Sequence, residues 1–128
     1  MNWTELPGTE LLRRVFSHSP KIDRVSLFDI SLNRNGRTLT VNFDLIDQIP
    51  DKPPEKWKNF NRCRLGLYCA PVKDLKLTGW DLTNIVDLEI KNISDTEYQV
   101  CFSNENMNLA FICQFISIVG PSVYLEED

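Results

Sequence analysis

The chain has 128 residues, of which 42% are hydrophobic and 25% are charged, and its formal net charge is −4. This is the composition of an ordinary globular protein, which excludes a disordered chain, and the length fits one domain better than two. The acidic balance argues against nucleic acid as a partner, because phosphates favour clustered Lys and Arg, and it leaves room for a basic partner.

A short helix is predicted within PGTELLRRVFSHSP, near the start of the chain. Its apolar face consists of four residues at helical spacing, Leu11, Leu12, Val15 and Phe16. Thr9 is a candidate N-cap or first-turn residue, and Glu10 suits the positive end of the helix. We expect Pro20 to stop the helix.

The sequence indicates a cytoplasmic protein without a membrane span. Glu5 and Glu10 lie where a signal peptide would have a basic segment and an apolar run, and no apolar stretch reaches about 18 residues. The four cysteines show no CxxC spacing and are expected to be small core thiols rather than disulfide partners or zinc ligands. We therefore expect neither a metal nor a cofactor.

The clearest local signal is a hairpin in FDISLNRNGRTLTVNFDL, with Asn35 and Gly36 in a type I′ turn. On one face this register pairs apolar residues: Leu32 with Leu39, Ile30 with Val41, and Phe28 with Phe43. On the other face it pairs polar residues: Asn33 with Thr38, Ser31 with Thr40, and Asp29 with Asn42. Val25 and Leu27 are out of phase with Phe28, which predicts a bulge near Leu27.

Further strands are predicted along the rest of the chain. RCRLGLYCA alternates as a half-buried strand, and DLKLTGW is a short strand. One hairpin is expected to pair Ile90 with Tyr98, Leu88 with Val100, and Val86 with Phe102. The next is expected to pair Phe102 with Leu109, Val100 with Phe111, and Tyr98 with Cys113.

The last predicted strand is apolar on both faces, so we expect it to be covered on both sides, and Gly120–Pro121 should end it. The predicted fold class is α+β: one N-terminal helix packed on a mostly antiparallel, hairpin-built sheet of about six or seven strands. We expect a single domain over 1–128, with a core at about 3–119 and a tail at 120–128.

A search for chemistry yields no catalytic site. His18 is the single histidine, and its sequence neighbours Ser17 and Asp23 are too close along a helix end to make a triad, so a solvent-exposed or helix-capping role is favoured. The chain contains no GxxxxGK[ST], GxGxxG or HExxH motif. We therefore predict that it is not an enzyme.

The segment DQIPDKPPEKWKNFN is a long, Pro-rich connection between two strands. With the end of the preceding strand it holds the densest acidic cluster of the chain. The candidate partner-binding residues are Asp44, Asp47, Asp51, Glu55 and Trp57. Tryptophan is enriched at binding hot spots, although a packed tryptophan and a solvated loop with Pro-fixed turns are the simpler alternatives. Basic and aromatic residues interleave in KWKNFNRCR, but local charge balance explains this better than RNA binding.

Several segments together resemble the Immunity protein 50 family of bacterial toxin-immunity proteins. They are WTELPGTELLRRVF, LTVNFDL, PDKPPEKWKNFNRCRLGLYC, DLKLTGW and LAFICQFISI, which extend from about Trp3 to Val119. The most specific pieces are Pro53, Pro54 and Trp57, then NFN, then Leu77, Gly79 and Trp80. The family has a Phe-His-Asp element after its first helix. Here SPKIDRV has no such histidine, and no role of it is carried over.

The resemblance implies a cytosolic immunity protein that binds and neutralises a cognate toxin domain by occlusion. Among toxins, a nuclease fits best, because its basic cleft would suit an acidic partner. The alternative is a small β-rich ligand-binding or adaptor domain, with an apolar pocket between sheet and helix. The sequence predicts no nucleic-acid or membrane partner and leaves a homo-oligomer open.

Overall fold

The computed structural model describes residues 3–82 and 84–126. Within these ranges a short helix, α1 (Glu10–Val15), accompanies one antiparallel sheet of eight strands. The strands are β1 (Arg24–Asn33), β2 (Thr38–Leu45), β3 (Arg62–Ala70), β4 (Lys73–Thr78), β5 (Ile85–Asn92), β6 (Tyr98–Ser103), β7 (Asn108–Cys113) and β8 (Phe115–Tyr124). Their order in the sheet is β4-β7-β6-β5-β1-β2-β3-β8. The α+β class is confirmed, but the expected six or seven strands are eight.

The extra strand arises at Gln114, which separates β7 from β8. Phe111 and Cys113 are buried before this break, Phe115 is exposed, and Ile116 is buried after it. The buried positions therefore change phase at Gln114. The prediction of one strand covered on both faces was wrong, because two half-buried strands of opposite phase are joined there.

The strand β8 also extends further than predicted. Gly120 and Pro121 lie inside it, and it ends at Tyr124. Gly120 has a φ of 97°, a conformation that glycine adopts readily, and the Gly120–Pro121 peptide bond is cis. The sequence predicted that the strand ends at Gly120–Pro121. In the structure β8 continues through this pair, at the place where the β3–β8 register shifts.

The helix α1 is shorter than predicted and ends at Val15, before Pro20. Leu12 and Val15 are buried, whereas Leu11 and Phe16 are half-buried. Thr9 occupies the N-cap position, but its side chain caps no backbone amide. Its hydroxyl instead accepts a hydrogen bond of 3.1 Å from Arg13 Nε.

The β1–β2 register is largely confirmed. The pairs from Asp29–Asn42 to Asn33–Thr38 are those expected, and a bulge lies between Leu27 and Asp29. Because Phe28 is the extra residue of this bulge, Leu27 rather than Phe28 faces Phe43. The type I′ turn was wrong: positive φ angles occur at Gly36 (76°) and Arg37 (50°), within a 3-10 turn.

Of the two later hairpins, one register was right. Phe102 pairs with Leu109, and Tyr98 pairs with Cys113, as predicted. In the other hairpin Ile90 faces Val100, so the prediction was displaced by two residues. A shift of two keeps each side chain on its face, so the apolar pattern could not separate the two registers. The loop selects the observed register, because the backbone N–H of Ile93 donates to Glu97 C=O at 3.0 Å.

The sheet wraps around its own core. β3 continues into β4 after only Pro71 and Val72, and β7 continues into β8, so the two ends of the strand order are joined through the chain. Phe43 of β2 and Phe102 of β6 are not on neighbouring strands, yet their ring centroids lie 6.1 Å apart. A single buried cluster therefore fills the interior.

The N-terminal segment closes one side of this core. Ile118 N–H of β8 donates to Pro7 C=O at 2.9 Å, and Trp3 Nε1 donates to Pro20 C=O at 3.2 Å. A Cβ on Gly8 would lie 2.1 Å from the Ile118 carbonyl oxygen, so only glycine permits this approach. Residues 6–8 thus lie along the outer edge of β8.

Candidate protein-interaction surface

The loop between β2 and β3, residues 46–61, is attached to the end of α1 and to the segment that follows it. Lys52 N–H donates to Val15 C=O at 2.9 Å. Gln48 and Lys21 exchange two hydrogen bonds, of 2.7 Å and 2.9 Å. These bonds connect the loop to residues far earlier in the chain, so its Pro-rich backbone has a defined path.

Asp51 provides a further attachment of the same loop. Its carboxylate accepts from Ser17 N–H at 2.9 Å and from the Ser17 hydroxyl. These bonds, that of the hydroxyl first, lower the pKa of Asp51 below its ordinary value of 3.8. The carboxylate is nevertheless exposed, so it can also face a partner.

Asp44 lies in a compact ionic cluster on the outer face of the sheet. Arg64 Nε donates to Asp44 Oδ1 at 2.8 Å, and Tyr124 Oη donates to Asp44 Oδ2 at 2.5 Å. Only 14% of the Asp44 side chain is exposed. The Arg64 guanidinium lies 3.5 Å from the centroid of the Phe28 ring. It therefore has a carboxylate at its edge and an aromatic ring against its face.

The cluster changes the acidity of two of its members. Burial would lower the pKa of Arg64, but the Asp44 carboxylate outweighs it and the net shift is upward. Burial, followed by the hydrogen bond to Asp44, raises the pKa of Tyr124. Both shifts favour the forms that can donate to the Asp44 carboxylate, the cationic arginine and the protonated phenol.

The five candidate residues of the sequence are not brought together at one point. Asp44 and Asp47 line one cavity of about 440 Å³ between the ends of β1 and β2 and the base of the loop. Asp51 lies at Ser17, outside that lining, and Glu55 is exposed. Trp57 is half-buried, and its backbone N–H donates to Pro54 C=O at 3.0 Å.

Sequence reasoning missed three residues of the ionic cluster: Phe28, Arg64 and Tyr124. Tyr124 lay in the presumed tail beyond Gly120–Pro121, and Phe28 was assigned to the inner face. A signal was available for Arg64, because strand alternation places it on the polar face of RCRLGLYCA. Nothing in the sequence says that Asp44 is its partner.

Thiols and acids make no metal site in the described part of the chain. No group of three or more His, Cys, Asp or Glu residues there could hold a metal ion. Cys63, Cys69 and Cys113 are buried, as expected of core thiols, whereas Cys101 is half-buried; all four are free. Among residues 3–82 and 84–126, no helix is long and apolar enough to cross a membrane.

By its architecture the chain is an α+β protein built on one antiparallel sheet, with a Pro-rich loop held to its surface by hydrogen bonds. Residues 8–124 match the family described as Immunity protein 50, so the chain belongs to that family. The resemblance drawn from the sequence is therefore confirmed.

The comparison with solved structures adds a distant likeness. The chain is similar to an uncharacterized protein from Neisseria gonorrhoeae, with 15% sequence identity and a TM-score of 0.47. The alignment covers 77% of this chain and 92% of that chain. No curated protein matches the sequence. A likeness at this level carries no argument about function.

Proposed function

We propose that the chain is a cytoplasmic immunity protein that binds a cognate bacterial toxin domain and neutralises it by occlusion. The observation that carries the proposal is the family match over residues 8–124. Proteins of immunity families generally act by binding and not by catalysis. A nuclease is the toxin class that this acidic chain suits best, because a nucleic-acid cleft is basic.

The β2–β3 loop is the contact surface that we assign to this function. Prolines and hydrogen bonds to residues 15–21 hold the loop before any partner arrives. A contact surface that is already ordered loses less conformational entropy on binding. Asp47 and Glu55 are exposed and free to face a basic partner, and Trp57 is the aromatic anchor. Asp44 and Asp51 support the surface through their bonds to Arg64 and Ser17.

The proposal is tested by co-expression in a sensitive bacterial strain. The candidate toxin is the C-terminal domain of any large secreted protein that a neighbouring gene encodes, expressed from a tightly controlled promoter. We expect growth to stop when the domain is induced alone and to resume when this protein is present. A domain that is harmless, or that kills regardless of this protein, would overturn the immunity function.

The loop assignment is tested separately from the function. Asp47→Lys, Glu55→Lys and Trp57→Ala should each weaken toxin binding, and the two charge reversals together should abolish rescue. Asp95→Lys is the matched control, because Asp95 is an exposed acid in the β5–β6 loop. If rescue persists in all loop variants, the protein is an immunity protein that binds through another surface.

A ligand-binding or adaptor role is the second candidate, and one observation favours it. A cavity of about 320 Å³ lies between the N-terminal segment and the inner face of the sheet, with Trp3, Leu67, Ile90 and Ile118 among its lining residues. This volume is at the lower end of the range for small-molecule sites. Thermal stabilisation by a small apolar ligand, lost in Ile90→Trp, would support this role.

A further inference from the structure

One edge of the sheet lacks the protection that the other edges have. β8 stands at one end of the strand order, and residues 6–8 lie along it, with Pro7 C=O bonded to Ile118 N–H. β4 stands at the other end and carries Lys73, Lys76 and an irregularity between them. Lysines and bulges are common devices that prevent an edge strand from pairing with another chain.

The edge without lysine or bulge is the part of β1 that follows the bulge at Phe28, and β1 lies in the middle of the strand order. β1 pairs with β2 along its length but with β5 only from Arg24 to Ser26. From Asp29 to Asn33 the register with β2 is regular. Among the described residues, no backbone hydrogen bond joins this stretch to any strand other than β2. It contains no Lys, Pro or Gly.

This free edge borders a groove of about 400 Å³, whose far wall is the beginning of β4. Leu32 of β1 and Leu75 of β4 both line it, and Val72 is buried at its side. Leu32 is 60% exposed although its cross-strand partner Leu39 is fully buried. An apolar side chain of a partner could therefore cover Leu32 without disturbing the core.

The groove has a basic rim in an otherwise acidic protein. Arg34 and Arg37, in the turn between β1 and β2, line it together with Lys73 and Asp74. Lys73 is already bound to Glu97 at 2.7 Å, whereas no ion pair within the described residues engages Arg34 or Arg37. A segment with a carboxylate beside an apolar residue would complement both features.

We propose that the β1 edge, residues 29–33, is where an extended acidic segment of the toxin domain adds as a further strand. The inference rests on the proposed function and specifies how the partner attaches. Main-chain hydrogen bonds to the free edge give affinity, and the groove beside Leu32 and Arg34 gives specificity for an apolar and an acidic side chain.

The test measures the affinity of the purified toxin domain, taken from a successful rescue, for matched variants. We expect Leu32→Lys and Arg34→Glu each to weaken binding about tenfold or more, since they block the groove and reverse its charge. Leu77→Lys, on the protected edge, and Arg14→Glu, on α1, make the same chemical changes at other exposed positions and should leave affinity within about twofold.

Amide hydrogen exchange provides a readout without any substitution. We expect residues 29–33 to become protected when the toxin domain binds, as newly hydrogen-bonded amides are. If the unaltered protein binds the toxin domain but residues 29–33 gain no protection and the groove variants bind normally, this inference is overturned and the proposed function is still supported. If the unaltered protein forms a dimer through 29–33 that toxin does not displace, a second copy is the occupant and the inference is overturned. If no toxin domain binds the protein, both this inference and the proposed function are overturned.

Discussion

The Tyr124 hydroxyl lies 2.5 Å from Asp44 Oδ2, although 80 positions separate the two residues in sequence. The bond connects β8 to β2 across β3, and Arg64 of β3 bonds to the same carboxylate. One ionic cluster therefore ties three neighbouring strands on the solvent-facing side of the sheet, where no apolar core holds them.

Tyr124→Phe should lower the free energy of unfolding by about 1.5 kcal/mol, because a half-buried carboxylate loses one hydrogen-bond donor while the ring remains. Urea denaturation measures the change. Tyr68→Phe is the control, since Tyr68 lies on the same outer face with its ring against Phe115. It should cost less than about 0.5 kcal/mol. Equal losses in the two variants would mean that the Tyr124–Asp44 bond contributes nothing to stability.

The bond between Asp51 and Ser17 should make stability depend on acidity. Because folding lowers the pKa of Asp51, the contribution of its carboxylate is complete above the ordinary pKa of 3.8 and is lost as the pH falls through the lower, folded-state pKa. The stability difference between the natural protein and Asp51→Asn should therefore shrink when urea unfolding is followed from about pH 6 down to about pH 3.

Ser17→Ala is the control for this pH dependence, because it removes the hydroxyl that contributes most to the lowered pKa of Asp51. In a Ser17→Ala background, the Asp51→Asn difference should vary less with pH. An unchanged pH dependence in that background would assign it to another group.

Gly79→Ala should be much more harmful than Gly36→Ala, although the two glycines have similar φ angles, of 71° and 76°. A Cβ on Gly79 would lie 1.7 Å from the Asn106 carbonyl oxygen, whereas at Gly36 the nearest atom is 3.6 Å away. The Gly36 variant should lose about 1–2 kcal/mol of unfolding free energy from the left-handed backbone alone. Thermal denaturation of both variants separates backbone conformation from steric clash, and equal losses would contradict the close approach.

The half-buried thiol should react with a thiol reagent before the three buried thiols. Burial, together with the nearby Asp44, raises the pKa of Cys63 to about 12, so this thiol is unreactive when folded. Contact with Cys113, and then burial, raises the pKa of Cys69. We expect Cys101, the half-buried thiol, to react first with a thiol-specific chromogenic disulfide at about pH 8.

Denaturation should expose all four thiols to the same reagent. Cys101→Ser should remove the first phase of the reaction in the folded protein and leave the other phases in place. A rapid phase that persists in Cys101→Ser would show that the interior opens on the timescale of the reaction.

Residue patterns predicted local structure well where two constraints agreed. In the β1–β2 hairpin a short turn and strict alternation both required Leu32 to face Leu39, and this pair is present. In the β5–β6 hairpin alternation was satisfied by two registers, and the five-residue loop that selects between them has no distinctive sequence. Alternation specifies the face of a residue, and the loop specifies its neighbour.

The candidate surface was harder to predict, because it depends on pairs far apart in the chain. That Asp51 bonds to Ser17, and Asp44 to Arg64 and Tyr124, follows from which strands and loops become neighbours. The basic groove was equally hard to predict. Leu32 has the alternation of a core residue, yet it is 60% exposed, and β5 begins at Ile85, opposite Ser26, so it does not extend beside Leu32.

The pairing of β3 with β8 also determines when the protein can fold. β3 lies between β2 and β8, and residues 115–124 are the last of the sheet to leave the ribosome. Until then β3 has a bare edge, and Pro7 has no Ile118 amide to bind. Such non-local pairing makes folding slow relative to proteins with local contacts. A nascent chain that stops before Phe115 therefore lacks both the last strand and the support of the N-terminal segment, and we expect it to be degraded rather than to persist as a partly active fragment.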